Sequence, residues 1–336
     1  MNELEIKLEN ERLKESWDCF PAEHLADYLA VNEQDQRINA QSILTRALLA
    51  DTLWPKKFSG LINEELRFGI VMTWLYEKLK AGADRFKLLD ELGGGRPKKG
   101  SEIPEAIRQT AAWLRGADCP IPNYVTDALM FLTPDQPGTL LFEPALNTFL
   151  NLWTSQLRGL SAEKISVLEI ACGSGNEYRA LDEFGLAAHI NYSGFDIASK
   201  NIANATKNFP GVKFFEASIL NSGLPDNSTD YIFLHDVLGH LSLEAMEIAL
   251  KEIMRIVRKE AWLHCFNAAD IPEHVNHPVE LYHRNRLSIS RLTESLRAAG
   301  AADVEAIPIS AMLQNKFHFT QDYTASAVTF IVRKQP

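Results

Sequence analysis

The feature that most constrains the fold is a change of hydrophobic period partway along the chain. Up to about Gly159, apolar residues recur every three and four positions, as in SILTRALLADTLW (42–54), LRFGIVMTWLYEKL (66–79), EAIRQTAAWL (105–114) and EPALNTFLNLWTSQL (143–157). That spacing lines one face of a helix. Beyond Gly159, short apolar and β-branched runs alternate with helical ones, which is how a parallel sheet with crossover helices is written. Strands are predicted at 166–170, 190–195, 212–216, 231–235, 261–266, 304–309 and 327–332, with helices at 176–184, 199–208, 243–257 and 290–299. The last helix should stop at Gly300. An α/β fold follows, with a helical N-terminal domain over 1–145 and a sheet domain over 146–336. Pro and Gly clusters at 93–100 (GGGRPKKG), 119–123 and 133–138 punctuate the helical part, and the first lacks the GK[ST] ending of a phosphate-binding loop.

The first predicted strand runs into VLEIACGSGN (167–176), which places small residues where a strand hands over to a helix. Only small residues let a ligand press on the backbone there, and the helix N-terminus offers free amide donors. Asp196 closes the next apolar run, INYSGFD, and so sits beside that turn, where a carboxylate can accept both ribose hydroxyls of an adenosine cofactor or cap the helix that follows. A nicotinamide dinucleotide would want a third glycine where this chain has Tyr178. Glu169, at the end of the first strand, attracts an ammonium or sulfonium and repels a pyrophosphate. Together these residues point to S-adenosylmethionine.

The string Glu169, Ala171, Gly173, Gly175 resembles the (D/E)-x-G-x-G-x-G motif of the class I S-adenosylmethionine-dependent methyltransferases, with Ala171 for one glycine. The resemblance extends through GFDI (194–197), LPDNSTDYI (224–232) and HDVLGHL (235–241). It implies a Rossmann-like seven-stranded methyltransferase sheet with an antiparallel C-terminal strand, preceded by the all-α N-terminal domain. It also implies that Glu169 lies near the methionine amino group and that Ala171, Cys172, Gly173, Ser174 and Gly175 pass under methionine and ribose. Asp196 takes the ribose hydroxyls, Ile197 lies against the adenine, and Ser218 and Ile219 stand where the family usually places an acid for the adenine amino group. A hydroxyl accepts that hydrogen bond more weakly than a carboxylate.

Methyl transfer is an in-line displacement, so a general base is needed only when the nucleophile carries a proton. His235 and His240 flank the end of the fourth strand and are the candidate catalytic residues; His235 also reads as a wall of the cofactor pocket. Asp236 and His240 are spaced i and i+4, but too few ligands gather there for a metal site, and none is expected. A polar insertion at 267–286, rich in His and carrying Tyr282, Arg284 and Arg286, reads as a solvated substrate lid. The N-terminal helices are expected to close over the site, contact substrate or form a homodimer.

With 44 acidic against 34 basic residues the chain carries a net charge of −10, which argues against nucleic acid as substrate or partner. The charged N-terminal sequence and the lack of a long apolar run predict a cytoplasmic protein with no membrane partner. Four scattered cysteines (Cys19, Cys119, Cys172, Cys265) suggest free thiols. The acceptor expected is a small molecule methylated at O, N or S; the alternatives are a protein methyltransferase or a cofactor-binding regulator without catalysis.

Overall fold

The computed structural model describes residues 1–18, 40–62, 65, 81–84, 87, 143–161, 164–279, 282–308, 311 and 327–335. The segments 66–79 and 105–114, the clusters at 93–100, 119–123 and 133–138, Cys19, Cys119 and Ile309 lie outside them. The described N-terminal part is helical: α1 (Glu3–Asp18), α2 (Ala40–Leu53) and α3 (Glu143–Leu157). Then come β1 (Ile165–Ile170), α4 (Asn176–Glu183), β2 (Ile190–Asp196), α5 (Ser199–Asn208), β3 (Lys213–Glu216), β4 (Thr229–His235), α6 (Leu243–Ile256) and β5 (Val257–Cys265). Short strands β6 (Ala268–Ala269), β7 (Pro278–Val279), β8 (Tyr282–His283) and β9 (Leu287–Ser288) precede α7 (Ile289–Ala298), β10 (Ala301–Pro308) and β11 (Val328–Lys334).

The main sheet has seven strands in the order β10-β11-β5-β4-β1-β2-β3. β11 runs antiparallel to both of its neighbours, while β5, β4, β1, β2 and β3 are mutually parallel. This is the Rossmann-like methyltransferase sheet that the sequence implied. Chain order reverses at β1, which lies between β4 and β2, and a crevice opens at the carboxyl ends of strands wherever order reverses this way.

Strand alternation gives the sheet two unlike faces. Leu168, Ile170, Phe195, Ile232, Leu234, Leu263 and Phe330 join Leu250 and Ile253 of α6 and Leu292 and Leu296 of α7 in one apolar cluster. Both helices start on a serine cap: Ser242 Oγ accepts from Ala245 N (3.2 Å) and Ser288 Oγ from Arg291 N (3.3 Å). The opposite parity carries Glu169, Tyr192, Asp196, His235, His264 and Thr329. α2 reaches His235 through Thr45, whose hydroxyl lies 3.4 Å from Nε2. Ile43, Leu44, Ala47 and Leu48 of α2 and Phe149, Trp153 and Leu157 of α3 are buried.

Two expectations are corrected. A helix through Val257 followed by a strand from Ala261 is replaced by α6 passing directly into β5 at Val257, because the polar stretch 258–260 is held at the sheet by partners elsewhere in the chain. Arg258 and Lys259 face Asp230 at 3.6 Å, and Arg333 Nε donates to Glu260 at 2.9 Å. The insertion at 267–286 is more ordered than a plain loop: β6 pairs with β9 and β7 with β8, and His283 and Asn285 are buried, while most of 272–278 stays exposed. Asn285 anchors it, with its side-chain nitrogen donating to Leu241 O (2.7 Å), its oxygen accepting from His277 N (3.0 Å) and its backbone N donating to Gly239 O (2.9 Å).

Candidate active site at the carboxyl edge of the sheet

Three residues of the turn after β1 have positive φ: Ala171 (56°), Gly173 (53°) and Gly175 (83°). The turn hangs from the end of β2, since Cys172 N donates to Phe195 O (2.9 Å) and Gly173 N to Asp196 Oδ2 (3.0 Å). The two glycines serve different ends. A methyl group on Gly175 would meet the Phe209 ring at 3.0 Å and Phe214 at 3.2 Å, so there the small residue permits packing. A methyl group on Gly173 would meet nothing within 4 Å, so there the bare backbone borders open space that a ligand can take. Tyr178, which replaces the third glycine of a dinucleotide fingerprint, joins the aromatic cluster of Tyr192, Phe209 and Phe214.

Asp196 is 6% exposed. Besides Gly173, its carboxylate accepts from Ala198 N (2.8 Å) and Asn201 Nδ2 (3.3 Å), so it braces the turn while α5 takes Ala198 as its N-cap. Burial raises its pKa and those hydrogen bonds oppose the rise. Glu169 is buried and accepts the Tyr192 hydroxyl. Its pKa stands well above the ordinary value, chiefly through burial and then through repulsion by Glu177. Glu177, in the first turn of α4, is raised to about 7 by burial, against the attraction of Arg46 on α2. Its Oε2 and the Ser174 hydroxyl are buried without a hydrogen-bond partner among the described residues. Cys172 lies in the same place, its thiol pushed up by burial and by the Glu169 and Asp196 charges. Three crowded carboxylates beside free backbone suit a cation bearing hydroxyls, and S-adenosylmethionine is one.

Further along the edge, Ile197, Ala217 and Ser218 line a cavity of about 380 Å³ whose other wall is α1. Ile219 is 7% exposed and its side chain belongs to the apolar cluster. Ser218 Oγ donates to Asn10 Oδ1 of α1 (2.5 Å) and accepts from Leu220 N (3.1 Å).

Beyond β4 the two histidines differ. His235 stacks on His264, ring centroids 4.7 Å apart, and burial followed by the His264 charge drives its pKa well down. His264 is itself lowered to about 4 by burial, with Nδ1 on Thr329 Oγ1 (2.8 Å). His240, on a short turn after β4, directs Nδ1 at His283 O (3.0 Å) and Nε2 at Asp236 Oδ2 (3.6 Å). The Asp236 contact raises its pKa against a smaller loss from burial. Asp236 has φ 48°, held by its N–H on His264 O (2.9 Å) and by Phe266 N on its Oδ1 (3.2 Å). Among the described residues no three His, Cys, Asp or Glu side chains gather to hold a metal ion.

Sequence reasoning named the turn, Asp196, Ser218 and the two histidines, and the fold brings all of them to one edge. It missed Asn10, Thr45, Glu177, Tyr192 and His264. Tyr192 and His264 were findable by strand parity with Asp196 and His235, whereas α1 and α2 arrive from far away in sequence with no local signal.

The sheet order and the turn hung from β2 define a Rossmann-like methyltransferase domain, and residues 168–265 match the family described as a methyltransferase domain. Residues 168–265 are thus a methyltransferase domain, and the cofactor that such a domain implies is S-adenosylmethionine. Similar solved structures include the complex of the Haloferax volcanii Trm112 methyltransferase activator with a methyltransferase (16% identity, 56% of this chain and 91% of that one, TM-score 0.39). Others are S-adenosylmethionine-dependent methyltransferases from Mesorhizobium loti (14%, 55% and 96%, 0.38) and Aquifex aeolicus (17%, 58% and 91%, 0.38). Similarity at this level says nothing of acceptor or partner. Among the described residues no helix is long and apolar enough to cross a membrane.

Proposed function

We propose that the chain methylates an O, N or S atom of a small molecule enclosed between the carboxyl edge of the sheet and the N-terminal helices. The observation that carries this reading is the cover: α2 sets Thr45 against His235, and α1 lies against the far end at Ser218. A covered site admits a metabolite more readily than a residue on a folded protein. Both α1 and α2 lie in the proposed N-terminal domain of 1–145, with a proposed catalytic domain over 146–336. Ile6 and Leu13 pack into the chain's own core, which favours closing over dimerising as the work of α1. The acidic net charge supports a partner other than nucleic acid, and the buried free thiols Cys172 and Cys265 suit the reducing cytosol.

In this reading the bound cofactor supplies an electrophilic methyl on a sulfonium. Gly173 and Ser174 border it with backbone, Asp196 accepts its ribose hydroxyls, Ile197 and Ala217 flank its base, and Glu169 and Glu177 offset its positive charge. His240 takes the acceptor's proton: Nδ1–H is committed to the His283 carbonyl, so Nε2 holds the lone pair, and Asp236 stabilises the imidazolium that forms. His235 stays neutral and serves as a wall.

The test is a metabolite panel and a protein extract, each incubated with methyl-labelled cofactor. Label in a metabolite is the expected result. Label only in protein would establish the protein-methyltransferase alternative, and cofactor binding without label anywhere would mark a regulator. Asp196→Ala should weaken S-adenosylhomocysteine by about 1.5 to 3 kcal/mol, the worth of hydrogen bonds to a charged group. Unchanged affinity by calorimetry would remove Asp196 from the site.

A further inference from the structure

We propose that α1 is a wall of the cofactor site and that its Asn10 reads the edge of the purine, in place of the acid that Ser218 lacks. This rests on the site assignment just given. Ser218 has a single proton, which goes to Asn10 Oδ1 at 2.5 Å, and its oxygen already accepts from Leu220 N at 3.1 Å. The hydroxyl is thereby committed to the protein, and what it holds in place is a carboxamide. Asn10 keeps its Nδ2 protons and the second lone pair of Oδ1, a donor and an acceptor side by side. An adenine edge presents the complement, an amino donor beside a ring-nitrogen acceptor.

The surroundings are built for that use. Asn10 shares the cavity of about 380 Å³ with Ile197 and Ala217, apolar groups against which the base can lie, and the volume is in the range of small-molecule sites. α1 is fastened at several points along its length. Leu13 is 7% exposed within the main apolar cluster, Ile6 packs against the same cluster, and Lys14 pairs with Glu216 at the end of β3. The charges of Arg12 and Glu9 act on His283, whose carbonyl holds His240 Nδ1. An ammonium-carboxylate pair and buried leucine hold Asn10 at one height above Ser218.

The experiment is calorimetric titration of the full chain with S-adenosylhomocysteine and with its inosine counterpart, whose base has a carbonyl in place of the amino group. Asn10→Ala should weaken S-adenosylhomocysteine about three- to tenfold, the weight of a neutral hydrogen bond. Asn10→Asp keeps an acceptor for the amino group and loses the donor, and its second oxygen can accept the N1–H that the inosine base carries, so it should discriminate against the inosine form less strongly than the parent does. Ser218→Ala leaves Asn10 in place and should cost less than Asn10→Ala. Equal affinity of Asn10→Ala and parent, with Asp196→Ala still impaired, would overturn the role of Asn10 while leaving the site where it is. Unimpaired binding by Asp196→Ala would overturn the site itself. A loss on Ser218→Ala that exceeds the loss on Asn10→Ala would make the serine the reader. Helicity by circular dichroism and the unliganded melting temperature show that each variant is folded.

Discussion

The two faces of the sheet use the same strands to opposite ends. On β1, β2, β4 and β5, the residues of one parity (Ile170, Phe195, Leu234, Leu263) are almost fully buried in hydrocarbon. Of their immediate neighbours of the other parity, Glu169, Asp196 and His264 are also buried and His235 is partly buried, yet all four are ionisable. The first group lowers the free energy of folding simply by leaving water. The second raises it, as the upward displacement of Glu169 and Asp196 and the downward displacement of His235 and His264 record. One face holds the sheet together, and the other spends part of that stability on groups kept in the wrong medium for their charge.

The largest effect should come from breaking the apolar face. Phe330→Ala, in the middle of β11 and fully buried, should cost about 3 to 5 kcal/mol in denaturant unfolding. The folded fraction should bind S-adenosylhomocysteine as before; impaired binding would mean that the faces are not independent.

On the polar face the sign reverses. Glu177 titrates at about 7 in the folded chain against an ordinary 4.5, so its contribution is full below the unfolded value and disappears as pH rises through the folded one. Glu177→Gln should therefore stabilise the unliganded protein at pH 8 by about 1 to 3 kcal/mol. It should also flatten the stability profile between pH 4.5 and 7, and favour neutral S-adenosylhomocysteine over cationic S-adenosylmethionine relative to the parent. A destabilised variant would place the carboxylate among the supports of the fold.

For the proton path, Asp236 raises the pKa of His240, and the neutral ring is the base. Turnover should rise with pH through that pKa, and Asp236→Asn should move the rising limb of kcat/KM to lower pH. A limb that stays in place would separate Asp236 from His240. The smallest effect is expected at Ala171, whose φ of 56° suits glycine better than alanine. Ala171→Gly should stabilise the fold slightly, by under about 1 kcal/mol, read as a small rise in melting temperature, since relief of the left-handed conformation is offset by a looser unfolded chain. A lower melting temperature would show that the Ala171 methyl, packed on the apolar cluster, outweighs the strain.

This division explains what could be read in advance. Apolar runs such as IFL after Tyr231 announce strands because burial on the hydrocarbon face leaves little choice of residue type. The turn and Asp196 were legible because open space beside Gly173 and a carboxylate at a strand end are local matters. The start of β5 was not, since 258–260 are charged and are held by Asp230 and Arg333. Nor was the strand pairing within 267–286, where the buried Asn285 ties the insertion to the turn after β4. Least legible was α1, a charged helix with Leu4 and Leu8 exposed, whose contact with Ser218 spans 208 residues of sequence.

The position of β11 bears on how the chain comes to be folded at all. It follows β10 in sequence but lies inside the sheet, between β10 and β5, with Val328 opposite Cys265 and Arg333 opposite Glu260. During synthesis, then, β5 emerges with a bare strand edge that only much later residues can cover. A ribosome-bound intermediate carrying that edge is open to pairing with other chains, and holdase chaperones or slow translation ahead of residue 328 would protect it.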